Sequence, residues 1–379
     1  MIYLTFNDTP GGVYYSQVTD VIRFLRSELQ IKIRLVAFIS IRNFISNRKK
    51  IKRQEPFAIV LPMFPGVRFW KCNLPLLFVI SLFFDLKEII GRGPFATCLA
   101  LALKKRKTVN RVCFDARGAY DAEFNEYHVI NDPDIKRQVQ NIERKVLYES
   151  DYRISVSEQL VDWWRMKYDY KGQGHAVNPC TLNTGIFRNL PEENIIKKTR
   201  QYLQFSSDDV VLLYSGSSAG WQSFEILENF FIRLLEKNEK IKIIFLTGNL
   251  PEELKKYEKR IVHKWVAPEE VQQFLLAADY GLLIRKKSVT NKVSSPTKFA
   301  EYLASGLPVL ISEEIGDYTD FVREKGCGMV VTTESFNSLE LKPVNYEQKK
   351  NVYKLATEHF TKQSKRNEYS KALNALINK

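Results

Sequence analysis

The chain has 379 residues, 45% of them hydrophobic, with five cysteines, four histidines and a formal net charge of +14. That length exceeds one ordinary core and suits two domains of roughly 180 residues each. The cysteines (Cys72, Cys98, Cys113, Cys180 and Cys327) are odd in number and widely spaced, with no C-x-x-C, and no histidine falls in H-E-x-x-H; this argues against a disulfide framework and a metal site, and for a reducing compartment.

The opening MIYLTFNDTPGG lacks a basic region before its apolar stretch and reads as a first strand, not a signal peptide. Short apolar, β-branched runs follow at residues 32–38, 58–61, 88–90, 111–114 and 152–156, counting 2–6 as the first. A second series lies at 210–214, 241–246, 280–284, 308–311 and 329–331. Helical spans separate the runs, so the expected fold is α/β: two Rossmann-like doubly wound units with buried parallel strands. The most apolar stretch, residues 74–84, has eleven residues where a bilayer span needs about 20, and is expected to be a buried helix. Residues 183–208 are polar and contain Gly185 and Pro191, marking the break between units. The expected domains are 1–185, 186–344 and a helical tail, 345–379.

Ligands in such sheets bind beyond the carboxyl ends of the strands. Asp8 and Gly11-Gly12 follow the first run, Gly91-Arg92-Gly93 the fourth, and Asp115-Ala116-Arg117-Gly118 the fifth. In the second half the positions are Ser215-Gly216-Ser217, Thr247-Gly248, Arg285-Lys286 and Ser312. Each alone is ordinary turn chemistry; together they suggest two sheets whose strand ends face a shared cleft.

The most informative segment is 294–309, SSPTKFAEYLASGLPV. Ser295-Pro296 reads as a helix start with a hydroxyl cap, and Gly306 as its stop after about three turns. The amides of Thr297 and Lys298 would then point from the positive end of a dipole, forming an anion site to which Lys298 adds a full charge. Glu301 lies three residues on, about 4.5 Å along the axis and on nearly the same face. It could accept two hydrogen bonds from a ribose diol while the helix start holds a diphosphate; the plain alternative is a surface Lys298–Glu301 pair.

TKFAEYLASGLPVLIS resembles the donor-binding segment of GT-B glycosyltransferases of family GT4. Further segments are similar in the family's order: FNDTPGGVYYSQVTDVIRFL to the glycine-rich first loop, VCFDARGAYDAEF to a D-x-R-G segment, LLYSGSSAGWQSFEIL to the first strand and loop of the donor domain. The resemblance covers roughly residues 1–330. It implies a GT-B fold, donor in the C-terminal domain and acceptor on the N-terminal one, with a terminal helix crossing back. It also implies retaining transfer from a nucleoside diphosphate sugar without an obligatory metal or other cofactor. With the strand-end and helix-start positions above, the donor-binding candidates are Gly12, Gly216, Ser217, Gln222, Arg285, Thr297, Lys298 and Glu301, and the catalytic candidates Asp115, Arg117 and Arg92.

The sequence also departs from the family. GT4 proteins commonly carry two glutamates eight residues apart; Glu301 matches the second, and Val293 stands where the first would contact the transferred sugar. A phosphate lysine expected six residues after Gly216 is Gln222, so Arg285 is the candidate replacement cation, against the reading of a surface arginine beside Lys286 and Lys287. His128 is the nearest histidine to a family catalytic position and is not assigned that role. Asp115 and Arg117 could act on substrate or simply pair with each other. Asp121 and Glu123 are possible acceptor-hydroxyl contacts.

Residues 1–107 hold 18 Lys/Arg against 6 Asp/Glu, a net +12, so the other 272 net only +2. Residues 40–53, SIRNFISNRKKIKR, combine Ile41, Phe44, Ile45 and Ile51 with six basic residues. That pattern suggests docking of a cytoplasmic protein at an anionic membrane surface beside a saccharide or lipid-linked acceptor. No groove-reading or stacking module favours nucleic acid. The alternatives to a transferase are a sugar-nucleotide epimerase or a phosphorylase of the same architecture, or a non-catalytic nucleotide-sugar-binding subunit.

Overall fold

The structure is a computed structural model that describes residues 1–64, 66–84, 86–127, 132–183, 185–187, 189–216 and 220–377. It divides into two compact units, Met1–Pro179 with Lys365–Lys379, and Cys180–Ser364.

Among the described residues the first unit holds seven strands: β1 Ile2–Phe6, β2 Arg34–Ile39, β3 Ile59–Pro62, β4 Glu88–Arg92, β5 Arg111–Asp115, β6 Tyr152–Ser155 and β7 His175–Val177. Their order in the sheet is β3-β2-β1-β4-β5-β6-β7, and every pairing is parallel. The second unit holds β8 Val210–Ser215, β9 Ile241–Leu246, β10 Ile261–Lys264, β11 Tyr280–Leu283, β12 Val309–Ser312 and β13 Gly328–Val331. Their order is β10-β9-β8-β11-β12-β13, again parallel throughout. Inner strands such as β1 (IYLTF) and β12 (VLIS) are buried at every residue, as expected where helices cover both faces. In each sheet the order reverses direction once, between β1 and β4 and between β8 and β11. Such switch points open the crevices where doubly wound sheets bind ligands.

In the second unit the crevice is set by the helix Thr297–Ala304, which lies against β11 because Gly281 has no side chain. A Cβ there would sit 2.4 Å from the Tyr302 ring. The Tyr302 hydroxyl reaches the Leu282 carbonyl and the Ser215 amide, each at 3.4 Å, and so fixes the helix against the end of β8. This helix differs from its expected form. It begins after Pro296 with no side-chain cap, and its eight residues make about two turns rather than three. The Ser295 hydroxyl instead accepts from the Cys180 amide (2.8 Å) and meets the Tyr318 hydroxyl (2.6 Å). Gly306 follows in the left-handed region, φ 71°, where Ser305 has already ended the helix.

Of the last two helices, Tyr346–His359 packs on Thr297–Ala304 in the second unit. Arg366–Ile377 lies in the first unit, where Arg111 donates to the Ala375 carbonyl (3.0 Å) and Tyr369 meets Phe24.

One expectation is overturned. The apolar stretch forms the helix Leu74–Phe83, but it is not buried: Leu77, Ile80 and Ser81 face inward, while Leu76, Val79, Leu82 and Phe83 are exposed. A helix apolar all round signals burial only when something covers its second face. Among the described residues its main packing partners are the turn Val67–Asn73 and the helix Gly93–Lys105.

Candidate functional site

At the switch point of the second sheet, three donors converge on one oxygen. The Gln222 Oε1 accepts from Lys298 Nζ (3.0 Å), Arg285 Nη2 (3.2 Å) and the Tyr214 hydroxyl (3.3 Å). Each arrives for a local reason. Tyr214 is next to last in β8, Arg285 lies two residues past β11, and Lys298 is in the first turn of Thr297–Ala304. Gln222 comes from the short helical turn Gly220–Gln222 after β8. The Lys298 ammonium also lies over the Tyr214 ring, 4.5 Å from its centroid, a cation–π contact.

Gly216 ends β8's exit with φ 153°. A Cβ on it would fall 2.1 Å from Lys298 Nζ, so the glycine makes room for the ammonium. Arg285 is buried, 7% exposed, which removes the reading of an ordinary surface arginine. Its backbone amide donates to the Ser312 hydroxyl (2.9 Å) and its Nη1 to Asn291 Oδ1 (3.3 Å).

Lys298 and Glu301 do not form the surface pair that their spacing permits; Lys298 turns to Gln222 and Tyr214. Burial, with the neighbouring Arg285 charge, drives the Lys298 ammonium well below its ordinary range, against a pull from Glu301. Burial lifts the Glu301 carboxyl to about 7, against the pull of Lys298. Two basic side chains therefore share a neutral amide oxygen, and the Glu301 carboxyl carries only part of its charge at neutral pH. Such a place accepts an anion readily. The amides of Thr297 and Lys298 open the same helix, without a side-chain cap. Val293 is buried, 2% exposed. Ser217 and His128 lie outside the described residues.

The first unit gathers its own polar cluster at the β1/β4 switch point. Arg92 ends β4 with its side chain 9% exposed, and its Nε and Nη1 have no hydrogen-bond partner among the described residues. Its nearest carboxylates are Asp8 at 3.6 Å and Asp115 at 3.8 Å. Asp115 is buried, accepts from the Tyr3 hydroxyl and pairs with Arg117 Nη1 at 3.3 Å. Arg117 Nη2 also reaches Gln17 Oε1 at 3.2 Å. The pairing that the sequence left as one possibility for Asp115 and Arg117 is thus present. Gly12 opens the first helical turn of this unit, and among the described residues nothing beyond its own local backbone comes within 4 Å of a Cβ placed on it. Asp121 is buried, takes Asn125 and lies 3.4 Å from Lys167. Glu123 is less enclosed, and burial lifts its carboxyl to about 7.

Sequence reasoning missed Tyr214, Asn291 and Tyr3, which hold the named residues in place. It also missed Glu143, which accepts from the amides of Tyr120 and Asp121 and from the Tyr168 hydroxyl. Tyr214 had a usable signal, its place at the end of a strand; Asn291 and Glu143 had none. Among the described residues, no cluster of three His, Cys, Asp or Glu is placed to hold a metal ion.

Comparison with known proteins bears on the fold and on the second unit. Residues 227–373 match the model of the family described as Glucosyltransferase 3-like, C-terminal domain. No curated protein sequence matches the chain. Among solved structures, the chain is similar to sucrose-phosphate synthase from Thermosynechococcus elongatus, at 12% identity and a TM-score of 0.69, covering 100% of this chain and 99% of that one. It is similar to a glycosyltransferase from Rickettsia africae ESF-5, at 13% identity, TM-score 0.69 and the same coverage. It is also similar to WaaG, a glycosyltransferase involved in lipopolysaccharide biosynthesis, at 12% identity and TM-score 0.67, with both chains covered fully. The shared architecture is GT-B, two parallel α/β sheets in one chain.

Gly216→Ala tests the close approach at the site. An alanine there is strained at φ 153° and displaces the Lys298 ammonium, so the variant is expected to melt lower than wild type and to bind nucleoside diphosphate more weakly. Titration calorimetry and a melting curve check the two parts.

Proposed function

We propose that the chain is a glycosyltransferase using a nucleoside diphosphate sugar as donor. The observation that carries this reading is the convergence of Lys298 and Arg285 on Gln222 Oε1 at the β8/β11 switch point. The departing diphosphate gains charge in the transition state, and fixed cations in a partly dry site stabilise that charge. Lys298, Arg285 and the amides of Thr297 and Lys298 take this role. Gln222 orients the two cations, Gly216 gives the ammonium room, and Glu301 accepts from the ribose diol. Gly12 and Ser217 complete the donor-binding set. In the first unit, Asp115 holds Arg117 and Arg92 in place, and those guanidiniums contact substrate.

The reaction proceeds with retention of configuration and needs no metal or other cofactor. The acceptor is a polysaccharide or lipid-linked saccharide of the cell envelope, met by a cytoplasmic protein at an anionic membrane surface. The similarity to WaaG in fold and the +12 charge of residues 1–107 support that setting. The family description makes a nucleoside diphosphate glucose the first donor to try.

The test is incubation with a panel of nucleoside diphosphate sugars. Release of nucleoside diphosphate that rises with an added saccharide acceptor is the expected result. Binding without turnover on any acceptor would make the chain a non-catalytic subunit, and epimerised donor would make it an epimerase.

A further inference from the structure

Among the described residues no helix is long and apolar enough to cross a membrane. Yet the helix Leu74–Phe83 presents Leu76, Val79, Leu82 and Phe83 outward at 40%, 46%, 60% and 82% exposure. Positions 76, 79 and 83 share one helical face, with 82 at its border, so these side chains form a continuous stripe. Phe69 and Phe64, in mutual ring contact and both about half-exposed, add apolar surface in the segment before the helix. The inward face carries Leu77 and Ile80, with Ser81 bonded back to the Phe78 carbonyl, so the helix has no polar side that faces water.

The stripe is flanked by cations at both ends. Lys71 is exposed just before the helix. Past its end, the Arg34 guanidinium lies 4.5 Å from the centroid of the Phe84 ring, and Lys32 is exposed two residues before Arg34. By contrast the basic helix Phe44–Gln54 itself exposes one large apolar side chain, Ile45, with Ile41 before it and Phe57 after it; Ile51 is buried and Phe44 packs on the core, so it presents no apolar stripe of its own.

We propose that the helix Leu74–Phe83 is a seat on an anionic lipid surface, its outward stripe entering the acyl boundary and the flanking basic residues lying among the headgroups. Ten residues make a helix of about 15 Å, half the thickness of a bilayer core, so it lies in the interface. A second copy of the chain fits poorly. The helix footprint is about 15 Å by 10 Å, far below the roughly 800 Å² per partner of a stable interface. A second chain would also bring another +14 charge against the first, which an anionic lipid surface complements instead. This inference extends the membrane setting proposed above and places its apolar anchor on a helix expected in the core.

The experiment is co-sedimentation of the full chain with vesicles of 3:1 phosphatidylcholine and phosphatidylglycerol, beside phosphatidylcholine alone. The variants are Leu82→Ser/Phe83→Ser and, separately, Ile45→Ser; all three side chains are exposed, and melting curves confirm folding. The wild type and I45S are expected to pellet with the anionic vesicles, and the double variant to partition at least tenfold less. The proposal is overturned if the double variant pellets like wild type, or if wild type stays in the supernatant. It is equally overturned if wild type sediments as a dimer that the double variant dissociates. No donor or acceptor is involved, so failure here leaves sugar transfer standing, and failure of transfer leaves the lipid seat standing.

Discussion

Lys298→Met should lower kcat/KM by about 100- to 1000-fold, the scale for losing one preorganised donor to a developing anion, while leaving the free protein at least as stable as wild type. The two halves of this result have one cause. The ammonium is held against Gln222 and the Tyr214 ring, near Arg285, with burial pushing its pKa well below the ordinary lysine range. A group with a depressed folded pKa binds fewer protons folded than unfolded, so its cost to stability shrinks as pH rises toward 10.5. Methionine keeps the length and removes that cost. A bound diphosphate reverses the balance by favouring the charged form. Donor binding should therefore take up protons at alkaline pH in wild type but not in K298M, measured by calorimetry in buffers of different ionisation enthalpy. Inorganic pyrophosphate should lose affinity along with the nucleotide. A K298M protein that binds pyrophosphate like wild type would remove Lys298 from the phosphate site.

The same residues show what can be read from a chain without its fold. Among the described residues, eleven of the thirteen strands stand out as apolar runs, most of them inner parallel strands buried on both faces. The two that do not, β7 and β10, are sheet-edge strands, three and four residues long, and β10 ends in the exposed His263 and Lys264. Their pairing depends on a neighbour, not on their own composition. The helix Leu74–Phe83 fails for a related reason: its composition reports that both faces avoid water, and only packing reveals that one has no cover. The site was legible as positions but not as contacts. Gly216, Arg285 and Lys298 could be placed at strand ends and a helix start. Gln222 was visible only as the absence of a lysine, whereas its amide oxygen is where both cations meet. The i,i+3 spacing that made a Lys298–Glu301 pair plausible is a statement about one helix. Tyr214, from β8, supplies the competing surface that turns Lys298 away.

Glu301→Ala should weaken nucleoside diphosphate binding by about 2 kcal/mol or more, the scale for charged hydrogen bonds to a ribose diol, without weakening pyrophosphate binding. That contrast separates it from Lys298, since pyrophosphate carries the phosphates without the sugar. Burial lifts the Glu301 carboxyl from 4.5 to about 7, so the folded protein holds a proton there that the unfolded chain releases. Stability from this group is present below about pH 4.5 and is lost as pH rises toward 7. Above pH 7 the full shift costs up to about 3 kcal/mol. Glu301→Gln, which keeps the shape and discards the charge, should therefore raise the melting temperature at pH 8 and change it little at pH 4.5. Its effect on the ligand runs the other way. The ionised carboxylate is the better acceptor for two hydroxyls, so the ratio of nucleotide to pyrophosphate affinity should climb through pH 7 in wild type and stay flat in E301Q. Taking the ratio cancels the contribution of Lys298, which both ligands share. A stabilised E301Q with an unchanged ratio would leave Glu301 as a buried carboxyl with no part in holding the donor.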